Sequence, residues 1–238
     1  HLSIRRQRQM CIRDRFGQAA LAWRVESPNG PPTLVLHVNK TQARETLGGR
    51  QPANLSVLWQ DPAPRRQLRL LKHLLPKATR VGVLHDPHSE FLLQELRQAA
   101  NELGLEIVAQ SWPDTRDNQS VIRLLGASDV LLAIADDDLY NPLTAKTLLL
   151  TSYGQQHALI GPSAGFVRAG SLASTYADQS DWLATLNQLL DQAAAQWPAG
   201  TYSSTFRVLG NPQVARTLGI TLPSDAELAR HLVQGDTP

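Results

Sequence analysis

The chain has 238 residues and a mass of 26.2 kDa, with 42% apolar, 18% charged and 5% aromatic side chains. That is enough for one large domain or two small ones with a real core, and it excludes a disordered chain. No apolar run approaches the roughly 18–20 residues of a membrane helix, and one Cys excludes a disulfide framework or a Cys-based zinc site.

The formal net charge of +2 is unevenly placed. Residues 1–15 (HLSIRRQRQMCIRDR) hold five Arg and one Asp, so the remainder carries 18 basic and 20 acidic side chains. A mildly acidic body argues against a nucleic-acid binder driven by phosphate contacts. The terminal string starts with His, lacks the apolar stretch of a secretory signal, and holds the only Cys and the only Met. Its MCIRDR stretch looks like translated adapter sequence, so residues 1–15 are expected to be a non-native tail and the chain a fragment; a native basic tail is the alternative.

From there the chain alternates short apolar strands with amphipathic helices. Thr33–Val38 (TLVLHV) and Leu55–Trp59 (LSVLW) read as buried strands, and Leu47-Gly48-Gly49-Arg50 between them as a turn. Gln67–Leu75 sets Leu68, Leu71, Leu74 and Leu75 on one helical face, and Pro76 stops it. Arg80–His85 is a strand, Asp86-Pro87 a turn, and His88–Leu103 a helix with Leu92, Leu96, Ala99 and Leu103 in phase, followed by Gly104. Leu105–Gln110 is a strand and Asn118–Leu125 a short helix. Val130–Ala135 (VLLAIA) is a strand covered on both faces. Pro142–Gln156 is a helix with Pro142 in its first turn, Ala158–Ile160 a strand, and Ser171–Thr175 extended. Ser180–Gln196 is a helix with Trp182, Leu186, Leu189, Leu190 and Ala193 inward. A strand over Ser204–Leu209 and helices over Pro212–Leu218 and residues 224–233 complete the chain.

This alternation predicts an α/β fold, with parallel sheets covered by helices on both faces. The block from about residue 79 to 164 is self-contained. The expected division is a discontinuous first lobe of residues 16–78 and 165–238, and a second lobe of residues 79–164.

The sequence has no glycine-rich phosphate loop and no G-x-S-x-G nucleophile elbow. Its histidines lack the H-E-x-x-H spacing, and Pro87 spoils a helical pair of His85 and His88. No catalytic residue, cofactor or metal is therefore expected. The informative polar cluster is Asp136-Asp137-Asp138, directly after the buried strand 130–135; Asp86, Ser89 and Glu90 follow strand 80–85 in the same way. Ligands of open α/β sheets bind beyond the carboxyl ends of strands. Carboxylates and hydroxyls at that rim can hold an ammonium or a hydroxyl. The same residue types also cap helices, and three aspartates can serve magnesium if the loop allows it.

Five stretches in order carry a resemblance: RQLRLLKHLLPKATRVGVLHDPHSE, QAANELGLEIV, DVLLAIADDD, VRAGSLASTYADQ and NPQVARTLGITLP. Over roughly residues 52–223 the chain resembles solute-binding proteins of ABC transporters, in the branch of tryptophan- and tyrosine-type binding proteins and their uncharacterised relatives. The resemblance implies two Rossmann-like lobes of the periplasmic-binding-protein type I fold, the first incomplete, joined by a hinge. It implies a small polar solute, an amino acid being one possibility, bound between the lobes without catalysis. It further implies an ABC permease and ATPase as partners and a monomer in the periplasm, with a signal peptide lost from the missing N-terminus or with a lipid anchor. A ligand-sensing module partnering a signalling protein is the alternative. Carried over residue by residue, Asp86, Ser89 and Glu90 match the polar turn after the second lobe's first strand, and Asp137 and Asp138 match an Asp-Asn pair. Ser163 stands where the family often has an acid. Asn39 and Lys40 fall near the position of the family's Asp-Pro turn in the first lobe, where the motif itself is not found.

Overall fold

A computed structural model describes residues 13–27 and 29–234. Residues 1–12 of the expected tail, with Met10 and Cys11, lie outside the described residues. The chain forms two compact units. One comprises the chain up to Asp61 together with Ala177–Phe206, and the other Pro62–Tyr176 together with the chain from Arg207 on.

The smaller unit is built on a four-stranded parallel sheet in the order β1-β2-β3-β9. These strands are β1 (Arg13–Phe16), β2 (Thr33–Val38), β3 (Leu55–Trp59) and β9 (Gly200–Thr201). Residues 13–15, set aside above as tail, belong to this sheet: Arg13 to Phe16 pair with Thr33 to Leu36. They occupy an edge of β2 that would otherwise present unpaired backbone groups. Side chains alternate across the sheet with period two. Val35, Val38 and Val57 pack with Leu21 and Ala43 on one face, while Leu34, Leu36 and Leu58 pack with Leu186 and Leu189 on the other. The register of β2 slips between Val35 and Val38, where His37 takes a left-handed φ of 58°. That bulge turns His37 out against Trp182 and returns Val38 to the core.

Three helices cover this sheet: α1 (Gly17–Val25), α2 (Lys40–Leu47) and α8 (Gln179–Leu190). The polar α2 is invisible to an apolar-periodicity reading. Its ends make it: Asn39 forms a capping box with Gln42, and Gly48 closes it at φ 54°. The helix expected to reach Gln196 stops at Leu190, because the Trp197 indole N–H donates to the Leu189 carbonyl (2.7 Å) and a single 3-10 turn follows. Ala193, expected inside, is exposed.

The larger unit holds a six-stranded sheet in the order β10-β8-β7-β6-β4-β5, parallel except for β10. Its strands are β4 (Arg80–His85), β5 (Glu106–Ser111), β6 (Val130–Leu132), β7 (Leu159–Ile160), β8 (Ala173–Tyr176) and β10 (Arg207–Gly210). Its helices are α3 (Pro64–Leu74), α4 (Leu92–Glu102), α5 (Asn118–Ala127), α6 (Pro142–Gly154), α7 (Ala164–Ala169), α9 (Pro212–Thr217) and α10 (Asp225–Gln234). Close packing is enforced in β4, where a Cβ on Gly82 would lie 2.6 Å from Ser128 Oγ and 2.8 Å from Leu131 Cδ2.

The unit boundaries differ from the expected 78/79 and 164/165. Helix α3 belongs to the larger unit because its buried Gln67 spans two strand ends: Nε2 donates to the Gly161 carbonyl (2.9 Å) and Oε1 accepts from Thr175 N (3.0 Å). The segment 207–234 belongs there because β10 pairs antiparallel with β8 and α10 packs on β10.

Candidate functional site

The parallel strands β4 and β6 are neighbours, so their carboxyl ends deliver side chains to one edge of the larger sheet. Asp86 follows β4 directly. Its Oδ1 accepts from His88 N (2.8 Å), Ser89 N (2.8 Å) and Ser89 Oγ (3.0 Å), while Ser89 Oγ accepts from Asp86 N (3.1 Å). This reciprocal pair closes a turn over residues 87–91, and regular helix begins only at Leu92 rather than at His88. Ser89 is fully buried and Asp86 nearly so, whereas Glu90 is exposed.

Strand β6 ends at Leu132, three residues short of the expected Ala135. Asp136 causes the early exit. Its N–H bonds the Ile134 carbonyl, and its Oδ1 accepts from Asp138 N (3.0 Å) and Leu139 N (3.1 Å). The polypeptide is thereby wound into a turn that leads to α6. Tyr140 locks this turn to the neighbouring strand by donating its hydroxyl to the Leu84 carbonyl (3.0 Å).

Asp136 is the residue that sequence reasoning passed over in favour of Asp137 and Asp138. It is 4% exposed, and among the described residues its Oδ2 has no hydrogen-bond partner. Burial pushes its carboxyl above the usual range, and the nearby Asp86 charge adds to that shift; the amides of Leu139 and Asp138 oppose it. The phenol of Tyr140 is also pushed up, by burial first and then by Asp136. Asp137 and Asp138 are exposed beside this buried acid.

The remaining candidates lie elsewhere. Ser163 is exposed, caps α7 through Phe166 N (3.3 Å), and lines a groove between α6 and α7. Asn39 and Lys40 belong to the smaller unit. Asn39 is buried and its side-chain oxygen accepts from Gln42 N (2.8 Å) and Thr41 Oγ (2.7 Å). Lys40 donates its backbone N–H to Asp61 Oδ2 (2.9 Å), and its Nζ lies 4.6 Å from the Tyr202 ring centre and 5.8 Å from that of Trp59. Asp61, shortly after the next strand, is thereby fastened to the start of α2; it precedes Pro62, the first residue of the larger unit. The carboxyl ends of β2, β3 and β9 thus bring a cation and two aromatic rings together, with Trp59 seated on Gly200, where a Cβ would lie 2.0 Å from its ring.

No protein-family model matches the chain, and no curated protein matches it either. Solved structures do. An ABC domain in complex with L-Trp from Streptococcus pneumonia aligns with a TM-score of 0.61 at 21% identity, over 87% of this chain and 82% of that one. A conserved domain protein from Vibrio cholerae aligns with a TM-score of 0.61 at 18% identity, over 90% and 82%. A ligand-free, open substrate-binding protein with adhesive properties from Clostridium difficile aligns with a TM-score of 0.60 at 17% identity, over 87% and 80%. The chain has the α/β fold of these proteins. That fold is the periplasmic-binding-protein type I fold, as the resemblance in its motifs implies.

Proposed function

We propose that the chain is a solute-binding protein that takes a small polar solute at the carboxyl edge of its larger unit. The observation that carries this reading is the Asp86–Ser89–Asp136 cluster. Two neighbouring strands are followed by buried acids, one of which keeps an oxygen without a hydrogen-bond partner among the described residues, and by the exposed Glu90, Asp137 and Asp138. A rim that gathers five carboxyl groups (Asp86, Glu90, Asp136, Asp137 and Asp138) favours a solute with an ammonium or hydroxyl donor. The neighbour solved with L-Trp supports an amino acid as one such solute. On this reading the protein works outside the cytoplasm and passes its solute to an ABC permease; among the described residues no helix is long and apolar enough to cross a membrane.

The test is thermal unfolding of the full chain with single solutes drawn from amino acids, small peptides, sugars and purines. A solute at 100 times its Kd adds about 2.7 kcal/mol of stability. That corresponds to a shift of roughly several degrees for a chain of this size. Reversible, stoichiometric binding without turnover, weakened by Asp137→Ala, is the expected result. Transport is read separately, as uptake of that solute by cells carrying the matching permease. Binding without uptake moves the reading to a sensing module.

A further inference from the structure

We propose that the groove between helices α6 and α7 is a second binding site, for an anionic single-chain amphiphile such as a long-chain carboxylate. The groove has a volume of about 570 Å³, within the range of small-molecule sites, and its walls include Ala145, Leu149, Leu150, Phe166 and Ala169. Helix α6 is apolar on several faces at once, so its burial against the sheet cannot cover it all. Leu143 stays 88% exposed and Leu150 63% exposed. Such a face on a solvent-facing helix implies something that covers it.

Charge identifies the occupant. Residues 139–177 contain no Asp and no Glu, although the body of the chain is mildly acidic. The charged side chains of α6 and α7 are Lys146, on the groove, and Arg168. Among the described residues neither makes a side-chain hydrogen bond or ion pair. Two of the polar side chains that line the groove are already engaged. Asn141 Oδ1 accepts from Leu143 N and Thr144 N, its Nδ2 donates to the Asp138 carbonyl, and the Tyr153 hydroxyl donates to the Gly170 carbonyl (2.8 Å). What remains is an apolar trough beside an unpaired ammonium. That combination fits a hydrocarbon chain with an acidic head. A second copy of this face would set like charges against each other.

The charge and the apolar walls of this site, Lys146, Leu149, Leu150 and Ala169, are not among the residues of the rim proposed above. Its test is calorimetric titration of the full chain with dodecanoate, and with dodecyltrimethylammonium as the same tail under the opposite charge, both below their micellar concentrations. Dodecanoate should bind saturably and the cationic analogue about tenfold more weakly. Lys146→Glu exchanges an attraction for a repulsion and should weaken dodecanoate by about tenfold, leaving any solute-induced shift at the rim unchanged. Ala169→Trp, made at an exposed position so that folding is preserved, should fill the groove and abolish binding. The proposal is overturned if dodecanoate shows no saturable binding. It is equally overturned if binding ignores both head-group charge and Ala169→Trp.

Discussion

Asp86 and Asp136 follow neighbouring parallel strands and are both buried, yet they are served unequally. Asp86 gathers two amides and a hydroxyl on one oxygen, and Ser89 returns a bond to its backbone. Asp136 gathers two amides on Oδ1 and leaves Oδ2 without a partner among the described residues. The second acid is thus held in place while its charge is opposed, first by burial and then by the first acid.

A pH dependence follows with a definite sign. The folded protein raises the pKa of Asp136, so it binds a proton more readily there than the unfolded chain does. The stability gained from this group is present below its unfolded value and is lost as pH rises through its folded value. Denaturant unfolding across mildly acidic to neutral pH should show that loss in the native protein. Asp136→Asn should be more stable than the native protein near neutrality and should lack this component; an unchanged pH profile in the variant would assign the dependence elsewhere.

Removing the Ser89 hydroxyl breaks both sides of the turn at once. Ser89→Ala leaves the Asp86 N–H buried without its acceptor and takes one donor from the carboxylate. The expected cost is about 1–3 kcal/mol, measured as a lower midpoint in urea at unchanged slope. A cost near zero would mean that the turn is held by the two amides alone.

The opposite effect of pH is expected at the end of α10. The rings of His73 and His231 stack with centres 4.0 Å apart, and Arg69 beside them donates to the Leu232 carbonyl. Burial, and then His231, push the pKa of His73 below its ordinary value. Stability from this group is present above the unfolded value of about 6.5 and is lost as pH falls through the folded one. Protection of the amides of residues 225–234 against hydrogen exchange, relative to their intrinsic rates at each pH, should therefore fall on acidification, and less so in His231→Gln. Equal exchange in both proteins would contradict this.

Gly82 should tolerate no side chain. A Cβ there meets Ser128 Oγ, Leu131 Cδ2 and Leu124 Cγ, all within 3.0 Å. Gly82→Ala is expected to cost about 1–3 kcal/mol by overpacking. A neutral result would show that helix α5 can shift away from β4.

Much of this was legible in the sequence. Runs such as Arg80–His85 and Leu55–Trp59 coincide with strands because continuous apolar stretches between turn residues have few alternatives. The helix α2 was not legible, because Lys40–Leu47 has almost no apolar face and is set by its caps. The strand at Arg13–Phe16 was hidden because its first three residues close a string, residues 1–15, whose MCIRDR stretch looks like translated adapter. The rim itself was legible from Asp86, Ser89 and the aspartate triplet. The choice within the triplet was not, because it depends on where β6 stops, and that is decided by bonds to Asp136 that no periodicity records. Unit boundaries failed for a similar reason: Gln67 joins α3 to the larger unit through bonds over roughly a hundred residues of separation.

The most direct measurement is isothermal titration of the native chain, and of Asp86→Asn and Asp137→Ala, with the solute class that raises the unfolding midpoint. The account predicts one solute per chain in the native protein and a Kd raised about tenfold or more in each variant, the loss of one charge-assisted bond. Native-like affinity in both variants would contradict it and move the solute away from this rim.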